Sequence, residues 1–146
     1  MAKATARWSG SKTKFTIEAG SGHQAQVDEA APFSDDEGMR PTEMLLGALG
    51  GCTGVNAALL LKKFQQPFRS LAVQVEGDQE AEWPRAFSSI RINFEIGWED
   101  GFTPDAVKVE KALDMACNRY CPVDATLTTG TRISHSHSSS AGREQP

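Results

Sequence analysis

At 146 residues the chain is sized for one domain. Its 39% hydrophobic and 23% charged residues are ordinary for a soluble globule, and a net charge of −4 excludes a general nucleic-acid binder. Three scattered cysteines exclude a secreted disulfide framework, and the opening MAKATARWSG holds no apolar signal segment, so a cytoplasmic protein is expected.

Residues 1–28 read as a three-stranded meander. Ala4, Ala6 and Trp8 alternate, Gly10-Ser11 turns, Phe15 and Ile17 alternate, and Gly20-Ser21-Gly22 turns again. Ala25 and Val27 share one face of the return strand, and His23 reads as a strand-surface residue. Residues 29–40, EAAPFSDDEGMR, form a polar loop. Its Asp35-Asp36-Glu37 run has metal-binding chemistry, but a solvated loop face is the expectation.

Pro41 to Phe64, PTEMLLGALGGCTGVNAALLLKKF, is the longest apolar run. Pro41 serves as the entry residue and Thr42 as N-cap, and about 22 helical residues would span roughly 33 Å. Apolar side chains cover nearly every side, which describes a buried central helix. The length would also cross a bilayer, but Glu43, Asn56, Lys62 and Lys63 and the interior glycines favour a protein core, so no membrane is expected as partner. Gly47, Gly50, Gly51 and Gly54 each cost about 1 kcal/mol against Ala. They imply that something packs very close to this helix: another backbone, a partner subunit or a substrate.

Gln65-Gln66-Pro67 breaks the chain. Ser70 to Glu76 and Ile90 to Trp98 alternate as strands around a loop, Gly77 to Arg85. Thr103-Pro104-Asp105 reads as N-cap, first residue and first-turn acid of a second helix, apolar at Ala106, Val109, Leu113, Ala116 and Tyr120 and ended at Cys121 by Pro122. Leu127 to Ser134 reads as a last strand. A single domain over 1–135 is thus followed by a Ser-rich, disordered tail over 136–146. The order βββ-α-ββ-α-β gives an α+β fold, with antiparallel sheets packed around a long central helix. One chain cannot cover that helix on all sides, so a partner subunit is expected.

The run Glu43 to Gly54, EMLLGALGGCTG, resembles the first-cysteine motif of the OsmC/Ohr family, in the subgroup with an L-G-G-C-T form. Tyr120-Cys121-Pro122-Val123, followed by Asp124-Ala125-Thr126-Leu127, resembles the family's late Cys-Pro motif, and the resemblance covers residues 3–135. It implies an OsmC-like fold, an intertwined homodimer with both sites at the subunit interface, and thiol-dependent reduction of organic hydroperoxides. A dithiol reductant is implied, and no metal or organic cofactor. Cys52 becomes the peroxidatic cysteine and Cys121 the resolving one.

Such chemistry needs a thiolate, a group to hold it and a second thiol to resolve the sulfenic acid. Cys52 lies deep in an apolar helix and needs an outside partner to become a thiolate, while Cys121 at a helix C-terminus meets a dipole that disfavours thiolate. Without the second motif, Cys52 reads better as a buried inert thiol; the Cys121-Pro122 motif tips the reading the other way. The family places a glutamate and an arginine near its first cysteine. Glu43 lies nine residues before Cys52 rather than the usual ten, about 180° around a regular helix. It reaches the site from the entry turn or serves the other subunit; otherwise it is a carboxylate complementing the helix dipole. Arg40 is the candidate arginine by proximity, ahead of Arg7, and otherwise an exposed loop residue. Cys117 and Cys121 with His135 and His137 form a zinc set in principle, but Cys117 reads better as a core or interface thiol. The rival class is a non-enzymatic dimer that binds an apolar ligand or senses redox state.

Overall fold

The structure, a computed structural model, describes residues 1–134 and 136–138. Three short strands come first: β1 (Ala4–Trp8), β2 (Phe15–Ala19) and β3 (Gln24–Val27), an antiparallel sheet in the order β1-β2-β3. This is the expected meander. Apart from one another, these strands make hardly any contact with the remaining elements, and β1 is exposed along its whole length. We refer to them as the arm.

The arm is tied to the loop that follows. Met39 forms a parallel bridge to Val27 of β3, donating its N–H to Gln26 O at 3.2 Å and accepting at its carbonyl from Asp28 N at 3.1 Å. The approach demands a glycine: a Cβ on Gly38 would stand 2.8 Å from Gln26 backbone atoms. The acidic run is neutralised by bases rather than left bare. Asp35 pairs with Lys12 and Lys14, Glu37 with Lys14 at 2.6 Å, and Asp36 with Arg40 at 2.7 Å. Asp28, 2% exposed, accepts from Thr13 Oγ1 and from the N–H groups of Glu29 and Glu37. Burial alone would raise its pKa. These bonds, together with Ser34 Oγ, which lies near without full hydrogen-bond geometry, outweigh burial and hold it well below the usual carboxylate range.

The second region, the body, is built on α1 (Pro41–Lys63), β4 (Phe68–Gln79), β5 (Phe87–Trp98), α2 (Ala106–Asn118) and α3 (Pro122–Thr129). α1 is long and apolar enough to cross a membrane, yet here it lies along β4 and α2. Ala57, Leu60 and Leu61 meet Ala112 and Ala116 of α2 in the core, with Phe64, Leu71, Phe94, Ile96 and Trp98 packed around them. Gln66 locks the far end of α1: its Oε1 accepts from Asp105 N at 2.8 Å, while its Nε2 donates to Phe64 O and Gln65 O.

The glycines divide between two faces. A Cβ on Gly50 would lie 3.0 Å from Val75 Cγ2, and one on Gly54 3.2 Å from Val73 Cγ2, so the close neighbour is strand β4. Gly47 and Gly51 have nothing within 4 Å of that position. The expectation of a helix buried all round is therefore corrected. Leu45, Ala48, Val55 and Leu59 follow a three-four spacing along an exposed apolar stripe, with half-buried Cys52 among them.

Several boundaries also differ from expectation. Arg40 takes the N-cap position of α1 with Pro41 as first helical residue, and Asp105, not Thr103, caps α2 by accepting from Val107 N and Lys108 N. β4 and β5 run further than expected, joined by a loop over 80–86. The last element is a helix instead of a strand. Cys121 does not end α2, which stops at Asn118; it is the N-cap of α3, with Pro122 at the first position. Thr126, Thr128 and Thr129 read as β-formers, but their hydroxyls bond back to the carbonyls of Pro122, Asp124 and Ala125. Gly130 closes the helix in the left-handed region at φ 71°. The α+β class stands. The tail expected over 136–146 lies largely outside the described residues, as does His135.

Candidate functional site

Helix α1 presents Cys52 at its midpoint, and the turn between α2 and α3 brings Cys121 to it. All three cysteines are free thiols. Cys52 is half-buried and Cys121 3% exposed. Burial pushes the Cys121 thiol up, and the neighbouring Cys52 thiol pushes it further. A third influence opposes these. Asp124 N donates to Cys121 Sγ at 3.3 Å, because Cys121 caps the N-terminus of α3. The helix-dipole argument for Cys121 thus reverses sign: it faces a positive end rather than a negative one. What keeps it the less available nucleophile is lack of access.

The polar neighbour of this pair is Asn56, one turn after Cys52. Its Nδ2 donates to Cys52 O at 3.0 Å and to Tyr120 O at 3.3 Å, and stands 4.0 Å from Cys52 Sγ. In the sequence Asn56 is only a polar interruption of an apolar helix. The signal available was its i,i+4 relation to the cysteine, which puts both on one face.

Glu43 and Arg40 are not brought to Cys52 within the chain. Glu43 accepts the Arg40 N–H at 2.9 Å in the first turn of α1, roughly 13 Å of helix rise before Cys52. Arg40 donates to Gly38 O at 2.9 Å and pairs with Asp36. Both side chains therefore have local partners at the entry to the helix.

Cys117 stands on α2, four residues before Cys121. It borders a groove of about 660 Å³ between β5 and α2, with Phe94, Trp98, Val109 and Leu113. Burial chiefly raises its pKa, with Asp124, Cys121 and Asp114 adding to the shift. A second cavity, about 320 Å³, lies between α1, β5 and α3 and is lined by Leu49, Ile90, Ile92, Asp124 and Leu127.

Residues 34–136 match the family model described as OsmC-like protein, and the chain belongs to that family. Among its relatives, the Escherichia coli K12 protein YhfA is 32% identical over 123 residues, 84% of this chain and 87% of YhfA. Solved structures share the fold. An OsmC-like protein from Mycoplasma pneumoniae superposes with a TM-score of 0.73 at 19% identity, covering 89% of each chain. A Legionella pneumophila protein described as an organic hydroperoxide resistance protein OsmC superposes with a TM-score of 0.61 at 13% identity, covering 88% of this chain and 90% of its own.

Proposed function

We propose that the protein is a cytoplasmic, homodimeric thiol peroxidase that reduces organic hydroperoxides in oxidative-stress defence. The observation that carries this reading is that the turn between α2 and α3, tied to α1 through Asn56 and Tyr120 O, sets the Cys121 thiol close enough to Cys52 for Cys52 to shift its ionisation. The thiolate of Cys52 attacks the terminal peroxide oxygen, the O–O bond breaks, and the alkoxide leaves as the alcohol after taking a proton. Cys52 is then a sulfenic acid. Cys121 attacks its sulfur, water leaves, and a Cys52–Cys121 disulfide forms; an external dithiol reduces it and is itself oxidised. The apolar surroundings of Cys52 suit an alkyl or aryl hydroperoxide. The family match and the hydroperoxide-resistance description of a structural relative point the same way.

The exposed stripe of Leu45, Ala48, Val55 and Leu59 supports the dimer, because a second copy would cover apolar surface that one chain leaves in water. In that arrangement Arg40 and Glu43 act on the partner's Cys52 rather than their own. Their distance from Cys52 within one chain is also what favours the rival, an apolar-ligand-binding or redox-sensing dimer whose Cys52 reacts slowly. Consumption of cumene hydroperoxide separates the two. Reduced protein should consume about one equivalent per subunit without reductant and turn over with dithiothreitol. No consumption above that of Cys52→Ser would reject the peroxidase in favour of the rival.

A further inference from the structure

We propose that Asn56 is a positioning residue that holds Cys121 against Cys52, so that the pair closes to a disulfide rather than leaving oxidised Cys52 exposed. The inference rests on the redox pairing of Cys52 with Cys121 and goes beyond it in assigning what aligns the two thiols. The two cysteines come from separate elements, and the joint between α2 and α3 has to be pinned for them to stay together. Arg119 N and Tyr120 N both donate to Met115 O at 3.1 Å, which closes α2 and turns the chain. The next carbonyl, Tyr120 O, belongs to the peptide that leads into Cys121. That carbonyl accepts from Asn56 Nδ2.

The same amide nitrogen donates to Cys52 O and lies 4.0 Å from Cys52 Sγ. One side chain therefore ties the backbone of one cysteine to the backbone immediately before the other. The choice of residue is informative. Asparagine is a poor helix former, and it stands here beside Ala57, Ala58, Leu59 and Leu60. A carboxamide supplies two N–H groups at one nitrogen, enough for both carbonyls at once. Neither a leucine nor an ionised aspartate of similar size can do this.

The test is disulfide closure driven by diamide, which needs no peroxide. Diamide takes two electrons and two protons from a pair of thiols, leaving a disulfide and the hydrazine. Closure is followed by thiol trapping and peptide mass mapping in wild type, Asn56→Leu and Asn56→Asp, with folding monitored by far-UV circular dichroism. Asn56→Leu should close Cys52–Cys121 about tenfold more slowly than wild type at every pH, the size expected for losing a net hydrogen bond. Asn56→Asp should be equally slow at about pH 8, where its carboxylate faces two carbonyl oxygens. It should then approach the wild-type rate at the same pH as acid protonates it and restores one donor. A structural role alone would leave the Asp variant's deficit independent of pH. Wild-type closure by either folded variant at pH 8 overturns the proposal, as does a pH-independent deficit in Asn56→Asp. If wild type closes with diamide but does not consume cumene hydroperoxide, the peroxidase reading fails and the role of Asn56 stands.

Discussion

The arm and the body answer the folding problem differently. The body has a core: Leu61, Ala57, Ala112 and Ala116 are fully buried, and a long hairpin and two helices wrap one side of α1. The arm has a hydrogen-bonded sheet and a ring of ion pairs but little buried apolar surface. Its one deeply buried carboxylate, Asp28, is satisfied by the loop that returns to α1. Both candidate catalytic thiols are on the body. Arg40 and Glu43 stand where the loop from the arm enters α1. On the proposed reading the body carries the chemistry, and the open stripe of α1 receives a second copy.

If the chemistry resides in the body pair, Cys52→Ser should reduce hydroperoxide turnover to background, while Cys117→Ser keeps most of it; coupled peroxide assays read both. Loss of turnover in Cys117→Ser alone would break the comparison. Stability should be just as unequal. Leu61→Ala removes a fully buried side chain and should cost about 3 kcal/mol in urea unfolding, whereas Trp8→Ala, in the exposed strand β1, should cost under about 1 kcal/mol when protein is dilute. Val55→Asp sharpens the dimer reading: light scattering should show a shift towards monomer with the circular dichroism spectrum unchanged.

Acid should loosen the arm before the body. Asp28 has a folded pKa depressed below its ordinary value of 3.8, so its contribution to stability is present above that value and fades as pH falls through and below it. Protection of the amides in β3 and the loop at 28–40, taken against their intrinsic exchange at each pH, should fall between about pH 4 and pH 2.5 while β4 and β5 stay protected. The smallest effect compares two glycines on one helix. Gly50→Ala must displace Val75 and should destabilise by about 1 kcal/mol, whereas Gly47→Ala enters open space and should gain a similar amount in helix propensity.

Much of this was readable in the sequence because the signals were periodic. Alternation at Ile90, Ile92, Phe94, Ile96 and Trp98 marked β5, and the long apolar run marked α1. The close-packed glycines were also legible as a pattern, though not the identity of the neighbour, since nothing local says that Val73 and Val75 fold back onto Gly54 and Gly50. α3 was missed because Thr126 to Thr129 favour strands by composition. Its helical signals were a proline at the first turn and a cysteine, rarely thought of as a cap, before it. That miss carried a chemical error with it, since the end of the helix that Cys121 faces decides the sign of the dipole. Asn56 was missed because its role depends on Tyr120, far away in sequence. Arg40 is a candidate by proximity along the chain and Glu43 by its near match to the family's spacing, and neither signal translates into contact with Cys52 within one chain.

The measurement that bears most directly on the central claim is mass mapping of the reduced wild-type protein after one equivalent of cumene hydroperoxide without reductant. The account predicts a loss of two hydrogens per subunit and a single cross-linked peptide joining Cys52 to Cys121, with Cys117 free. An unchanged mass, or oxygen added to Cys52 with Cys121 still a thiol, would contradict it.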